Sequence, residues 1–340
     1  MNDGFITFNM EPVNSPWGGG NKWLVHFIEY VRSKGLKVNF QLSEKTKCIL
    51  IVNYKSINFK KNFFFKNKNN ITFNLLELED FKKKFPNVPV IMRVNDTDAS
   101  RKTNFIDKNF LRINKISSHN IYISKWVRNY FIKKIKINDK KKNTIINVSS
   151  NKKIFFIKKK FWSYKSKTIK IVTHHWSDNK YQKGYDRYFF LDNLLFKKKI
   201  KNIKFLIIGN IPKDINFKFA KIFPALNGME LAKKIRSADI YFTGSRYEAG
   251  GNHVAEGLSC GLPIIYYKNS GGIKELAQNC GVETNNRNIL RSINKIKNNY
   301  SSFMLKIKKK YNNSNVNANR QYLKIIKNYI KINSDNVRIN

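Results

Sequence analysis

The sequence predicts an α/β protein made of two doubly wound domains, each a parallel sheet covered by helices. Three observations carry that prediction. Short apolar, β-branched runs alternate with segments of helical period through both halves, an order that builds parallel sheets with helices on their faces. The length of 340 residues suits two domains. Hydrophobic residues at 41% and aromatics at 14% can fill a core in each, which excludes a disordered chain.

In the first half, strands are expected at Phe5–Phe8, Lys37–Phe40, Cys48–Val52, Val88–Val94, Ile121–Ile123 and Thr144–Val148. Helices fit between them at Asn21–Lys34, where Gly35 supplies a left-handed stop, at Phe105–Lys115, and at Lys125–Lys134 behind a Ser124 cap. The stretch Ser149–Ser166 is polar, basic and aromatic without a period, and reads as a connection. In the second half, strands are expected at Thr168–Thr173, Lys204–Ile208, Asp239–Phe242 and Pro263–Tyr267. Helices are expected at Tyr185–Lys199, Asn227–Arg236, Asn252–Cys260 and Ile273–Gln278, and residues 288–332 keep a helical period. The resulting division is 1–150, a connection at 151–167, a second domain at 168–315, and a terminal helix and tail at 316–340.

Lys and Arg number 66 against 22 Asp and Glu, a net charge of +44. That excess favours anionic surroundings: nucleic acid, a membrane surface or phosphorylated substrates. The lysines, however, are scattered in short runs such as Lys82–Lys84, Lys197–Lys199 and Lys308–Lys310, whereas a nucleic-acid module gathers them on one element. The abundance of Lys, Asn, Ile and Phe is also what AT-rich codons produce. No apolar run approaches the roughly 18 residues of a membrane span, and the N-terminus lacks the features of a secretion signal. Cys48, Cys260 and Cys280 are odd in number and scattered, as free thiols in a reducing compartment are. A cytoplasmic protein is expected. The basic, Phe-interleaved stretch Lys152–Phe161 suits peripheral contact with the anionic inner face of a membrane.

The most informative segment runs from Ser245 to Ile265. It follows a strand, so its loop lies at a carboxyl edge of the sheet. Gly250 and Gly251 let backbone approach a ligand, and Asn252 is expected to cap the helix that follows. That helix presents N–H groups and the positive end of its dipole to a phosphate, with His253 in its first turn as a further donor. Glu248 and Glu256 bracket the turn. Phosphate would repel both, so sugar hydroxyls suit them better. His174 and His175 end a strand side by side and point to opposite faces, which is poor geometry for chelation, so no metal site is expected. Ser15-Pro16-Trp17-Gly18-Gly19-Gly20-Asn21 is no dinucleotide fingerprint: Trp23 stands where the third Gly belongs, and Phe40-Gln41 where a ribose-binding acid belongs.

The string Tyr247-Glu248-x-Gly250-Gly251-Asn252-x-x-x-Glu256-Gly257-Leu258-x-Cys260-Gly261-Leu262-Pro263, followed by Asn269-Ser270-Gly271-Gly272-Ile273-Lys274-Glu275-Leu276, resembles the nucleotide-sugar site of retaining GT-B glycosyltransferases, the family 4 or group 1 type. The resemblance implies two Rossmann-like domains facing across a cleft, and transfer of a sugar from a nucleoside diphosphate sugar to a hydroxyl acceptor with retention. By it, Glu248 contacts the donor sugar, Glu256 binds the ribose diol, and amides of Gly250, Gly251 and Asn252 hold the diphosphate. Lys183, before Gly184, matches the family's Lys that neutralises the leaving group. The family's Arg six residues earlier is Ser177 here, with Lys180 or His175 as stand-ins.

In the first domain Gly19 and Gly20 match the family's glycine-rich loop. Arg93 and Asp96 are expected on the acceptor side, with a salt-bridged loop as the alternative. The implied partners are a nucleoside diphosphate sugar and a glycan or lipid-linked acceptor, as in polysaccharide or lipopolysaccharide biosynthesis, with no cofactor and no metal. Asp96-Thr97-Asp98 has the letters of a metal motif but lies in the acceptor-side domain. Two other classes stay open at this stage: a catalytically degenerate nucleotide-sugar-binding protein, which binds donor without turnover, and a basic polyanion or nucleic-acid binder, which shows salt-sensitive retention on nucleic acid instead.

Overall fold

The computed structural model describes residues 4–13, 19–55, 57, 70–137, 142–157, 168–177, 179–311 and 314–336. It divides into two compact units, one of residues 1–147 with 315–340 and one of residues 148–314.

In the first unit, β1 (Phe5–Phe8), α1 (Gly19–Arg32), β2 (Lys37–Asn39), β3 (Thr46–Ile51), α2 (Leu75–Lys84), β4 (Val90–Val94), α3 (Asp98–Arg101), α4 (Ile106–Ile116), β5 (His119–Tyr122), α5 (Lys125–Asn129) and β6 (Asn143–Ile145) follow in order. The sheet order is β2-β1-β3-β4-β5-β6, every pair parallel. β1, β3, β4 and β5 are mostly buried on both faces, whereas the edge strands β2 and β6 are partly exposed. The order reverses between β1 and β3, and the crevice beyond their carboxyl ends is where such sheets take ligands. Gly35 closes α1 with φ of 72°, and the Ser124 side chain caps α5 through the Val127 amide. The helix expected to Lys134 passes into a π-helical turn at Tyr130–Lys134.

The second unit holds β7 (Ile169–His175), α6 (Lys180–Lys183), α7 (Tyr185–Lys197), β8 (Ile203–Gly209), β9 (Lys221–Phe223), α8 (Gly228–Arg236), β10 (Ile240–Thr243), α9 (Asn252–Ser259), β11 (Ile264–Tyr267), α10 (Ile273–Ala277), β12 (Gly281–Thr284), α11 (Ile289–Asn298) and α12 (Tyr300–Lys310). Its parallel sheet runs β9-β8-β7-β10-β11-β12. The strand order therefore reverses between β7 and β10, whose carboxyl ends carry His174-His175 and the loop opening at Gly244.

Two features differ from the domain limits read from sequence. The described part of the expected connection packs on the second unit. Ser150 and Ser259 share a hydroxyl hydrogen bond of 2.5 Å, Phe155 is buried, and Arg236 binds the Ile154 carbonyl while covering the Phe156 ring. Basic and aromatic residues there cover their own domain, and the rest of Lys152–Phe161 lies outside the described residues. The terminal helix, α13 (Asn315–Asn336), belongs to the first unit. Its Tyr322, Leu323 and Ile326 join the core beneath α1, with the Tyr322 ring 4.8 Å from that of Trp23.

Candidate functional site

The candidate residues of the second unit gather at the carboxyl ends of β7 and β10. α6 is one turn long, and Gly184 ends it in the left-handed region, where the chain turns straight into α7. A Cβ on Gly184 would stand 2.0 Å from the Gly244 carbonyl oxygen, so only glycine permits this junction against the end of β10. The loop after β10 is tied to α6 and α7 along its length. The Arg246 amide donates to the Gln182 carbonyl, its guanidinium forks onto the Asp186 carboxylate at 2.7 and 2.6 Å, and Arg187 donates to the Gly244 carbonyl and the Asn269 side chain. Lys183 is thereby delivered to Glu248, Nζ to Oε2, at 2.9 Å.

Glu248 is also fixed by backbone. Its amide donates to the Ser270 carbonyl and its carbonyl accepts from the Gly272 amide. Gly271, with φ of 71°, lies so close that a Cβ there would stand 2.5 Å from the Glu248 oxygen. The downstream Asn269–Gly272 string thus serves to seat Glu248. The hydroxyls of Ser245 and Ser270, both fully buried beside it, have no hydrogen-bond partner.

Asn252 does not cap α9. Gly251 does, with φ of 67° and no side-chain bond, and Asn252 is the first helical residue. A Cβ on Gly251 would meet the Ile273 side chain at 2.8 Å, so the tight packing of α10 selects glycine at the cap. The amides of Val254 and Ala255 donate to the Gly251 carbonyl, which leaves those of Asn252 and His253 without an acceptor in the helix. Gly250 and Gly251 are buried at this N-terminus.

Glu256, one turn on, is held by a residue the sequence reading gave no such task. His174 Nε2 meets Glu256 Oε2 at 2.7 Å, and His174 Nδ1 meets the Tyr241 hydroxyl at 2.9 Å. His175 pairs with the Tyr188 hydroxyl at 2.6 Å, and His253 with Thr243 at 3.0 Å. The two strand-end histidines do lie against different neighbours, yet both rings approach that of His253, at 6.3 and 4.9 Å. Burial, with smaller opposing and reinforcing effects from Glu248 and Lys183, lowers His253 to about 3, and His175 is driven well below its usual range by burial first. Both are neutral at pH 7, so His253 serves the site as a neutral ring bonded to Thr243. Among the described residues no three His, Cys, Asp or Glu side chains are grouped so as to hold a metal ion.

Lys180 departs from the expected site. It forms a surface ion pair with Asp214, while Lys183 pairs with Glu248. Ser177, standing where the family carries Arg, accepts from the Asn179 amide within its own turn.

In the first unit, Gly19 and Gly20 form the opening of α1, while Ser15, Pro16, Trp17 and Gly18 lie outside the described residues. Arg93 and Asp96 are both buried. Asp96 pairs with Arg101 at 2.5 Å and Lys55 at 3.4 Å; burial pushes its carboxyl up, but the two cations outweigh that and hold it below the usual range. Asp98 accepts from Thr103, Ile106 and Asp107. Both acids of the Asp96-Thr97-Asp98 string are therefore engaged in building the loop.

Two doubly wound parallel units, the second with its polar cluster at the reversal of strand order, define the GT-B fold. Residues 156–313, most of the second unit, match the family model described as Glycosyl transferases group 1. The chain is similar in structure to Anabaena HepE, solved with UDP and glucose, at 12% identity and a TM-score of 0.67 over 95% of this chain and 99% of that one. It is similar to sucrose-phosphate synthase of Thermosynechococcus elongatus at 10% identity and 0.65, over 97% and 100%. It is also similar to WaaG, a glycosyltransferase involved in lipopolysaccharide biosynthesis, at 12% and 0.59, over 96% and 99%. No curated protein matches the chain. At these identities the likeness is one of fold.

Proposed function

We propose that this protein transfers a sugar from a nucleoside diphosphate sugar to a hydroxyl acceptor with retention at the anomeric carbon, using no metal or other cofactor. The observation that carries the reading is the Lys183–Glu248 pair, 2.9 Å apart, beside the open N-terminus of α9 at the strand-order reversal. A diphosphate seated on the amides of Asn252 and His253 receives the positive end of a helix and a lysine. As the glycosidic bond breaks, negative charge grows on that leaving group, and fixed donors stabilise it without reorganising. The leaving diphosphate assists removal of the acceptor's proton, which leaves Glu248 to orient the sugar. Glu256, steadied by His174, accepts from the ribose diol.

The UDP in the HepE structure supports a uridine nucleotide as the first ligand to try. WaaG's stated role in lipopolysaccharide biosynthesis supports a glycan or lipid-linked acceptor, and a charge of +44 suits work at an anionic inner membrane face. Cosedimentation with anionic vesicles no better than with neutral ones would reject that location. A thermal-shift screen with UDP, GDP, ADP and CMP and their sugars tests the donor site. One nucleoside diphosphate at 100 times its Kd is expected to stabilise the fold by about 2.7 kcal/mol, and Glu256→Ala to abolish the gain. Absence of any shift would overturn the donor site.

A second reading, a binding protein without turnover, is favoured by one observation: Ser177 replaces the expected Arg, and Lys180 is committed to Asp214. Donor binding without release of nucleoside diphosphate in the presence of glycan acceptors would select it.

A further inference from the structure

Two loops seat Glu248, and one side chain ties them together. The first is the run Gly244–Glu248 after β10. The second is the turn Tyr267–Ser270 after β11, closed by the Ser270 amide on the Tyr267 carbonyl. The Asn269 and Ser270 carbonyls of that turn accept from the Tyr247 and Glu248 amides, so the turn is the template on which Glu248 lies. Arg187 of α7, 7% exposed, reaches both loops. Its Nη1 donates to the Gly244 carbonyl at 2.8 Å and its Nη2 to the Asn269 side chain at 2.6 Å. Its Cζ lies 3.9 Å from the centroid of the Tyr267 ring.

The loop needs such a hold. Tyr247 has a φ of 49°, in the left-handed region, where a bulky side chain is strained and persists only when its surroundings impose it. On one side the Arg246 amide is fixed on the Gln182 carbonyl. The bonds of Tyr247 and Glu248 to Asn269 and Ser270 depend instead on where the turn stands. A lysine at 187 could reach one acceptor, but it has no planar fork to take two in different loops while lying on a ring. Both acceptors are neutral, and a buried guanidinium is costly where apolar packing would serve. What offsets that cost is the register it fixes between the two loops.

We propose that Arg187 is a positioning residue for Glu248: it fixes the turn Tyr267–Ser270 against the start of the Gly244–Glu248 loop, and so holds the strained Tyr247 backbone that sets the Glu248 carboxylate. The proposal rests on the reading of Glu248 as the group that orients the donor sugar, and it assigns Arg187 to the sugar rather than to the nucleotide.

Titration calorimetry on the full chain uses UDP and UDP-glucose, with GDP, ADP and their glucose conjugates as alternatives. In Arg187→Met the Kd for the sugar nucleotide is expected to rise at least about tenfold, while that for the nucleoside diphosphate stays within about threefold. Equal losses for both ligands, or none, overturn the assignment. With Glu248→Ala in place, Arg187→Met should cost nothing further, because it acts through that carboxylate; additive losses overturn it. Tyr247→Gly takes the left-handed φ without strain, and in the Arg187→Met background it should recover at least about threefold in sugar-nucleotide affinity. No recovery overturns the hold on Tyr247. Should Arg187→Met fail to fold, Asn269→Ala removes the link to the turn and leaves the ring contact. The same selective loss is expected of it, and its absence rejects the proposal. A wild type that binds none of these ligands rejects the donor reading, and hydrogen exchange on the ligand-free chain then decides the positioning alone. Either variant is expected to speed exchange at the amides of Tyr247, Glu248 and Gly272, which bond Asn269, Ser270 and Glu248, and unchanged exchange there overturns it.

Discussion

His174 and Glu256 stand 2.7 Å apart, though 82 residues separate them in the chain. The Tyr241 oxygen accepts from the His174 amide at 3.3 Å and bonds His174 Nδ1 at 2.9 Å. The contacts are satisfied with Nε2–H donating to the carboxylate. Glu256 thereby has one oxygen fixed by the imidazole.

His174→Phe should therefore weaken the nucleotide without touching it. Loss of the donor to Glu256 is expected to raise the nucleoside diphosphate Kd about tenfold, roughly 1.4 kcal/mol. It should also destabilise the fold by about 1–3 kcal/mol through the unpaired carboxylate and tyrosine. His174→Gln, which keeps a donor, should recover most of the affinity. Titration calorimetry on both variants checks this, and an unchanged Kd in His174→Phe would exclude a positioning role.

Lys183→Met separates catalysis from stability. Lys183 and Glu248 are 19% and 22% exposed, so solvent screens the pair and its contribution to folding is at most about 1 kcal/mol. The same lysine facing a leaving diphosphate in a developing transition state is expected to carry about 10²-fold or more in kcat. A melting temperature near that of the wild type, with product formation collapsed, is the expected pair of results. Wild-type turnover would remove Lys183 from the mechanism.

Both sheets were legible in the sequence because every strand with a full apolar run, such as Cys48–Val52 or Pro263–Tyr267, is buried on two faces. The three-residue β9 and the half-exposed β12 left no such run. α2 was missed although Asn74 and Glu77 form a capping box, because Asn74-Leu75-Leu76-Glu77 stands behind a long basic stretch that drew no reading. The glycines and acids around Glu248 were readable because local backbone geometry demands those residue types at fixed spacing. Pairings across the fold were not. Lys180 finds Asp214 34 residues on, and Glu256 finds His174 from another strand.

Left-handed glycines should differ sharply by what surrounds them. Gly35 and Gly184 have nearly the same φ, 72° and 73°. A Cβ at Gly35 meets nothing within 4 Å, whereas one at Gly184 stands 2.0 Å from the Gly244 carbonyl oxygen. Gly35→Ala is expected to cost about 1–2 kcal/mol, the conformational penalty alone. Gly184→Ala must also displace backbone, and should cost more than about 3 kcal/mol and drive Lys183 from Glu248. Denaturant unfolding of the two variants gives the comparison, and equal losses would refute the close approach at Gly184.

Acid should weaken both units through their histidines. Burial, helped by Lys142, lowers His119 in the first unit to about 4. In the second unit burial lowers His253 to about 3 and drives His175 well below its usual range. Unfolded, each returns to about 6.5, so below that pH the unfolded chain takes up protons that the folded chain refuses. Stability then rises with pH and is lost as pH falls from about 7 toward 4. Asp107 and Asp239, pushed up by burial, act with the opposite sign, but from the carboxylate range, so the first part of the acid limb belongs to the histidines. Melting temperature at constant ionic strength should be level from about pH 8 to 7 and decline below it. His253→Gln, which retains a partner for Thr243 and cannot titrate, should decline less steeply. A melting temperature that holds or rises on acidification to about pH 5.5 would show that these rings are charged in the folded protein, against the neutral His253 on which the site's electrostatics rest.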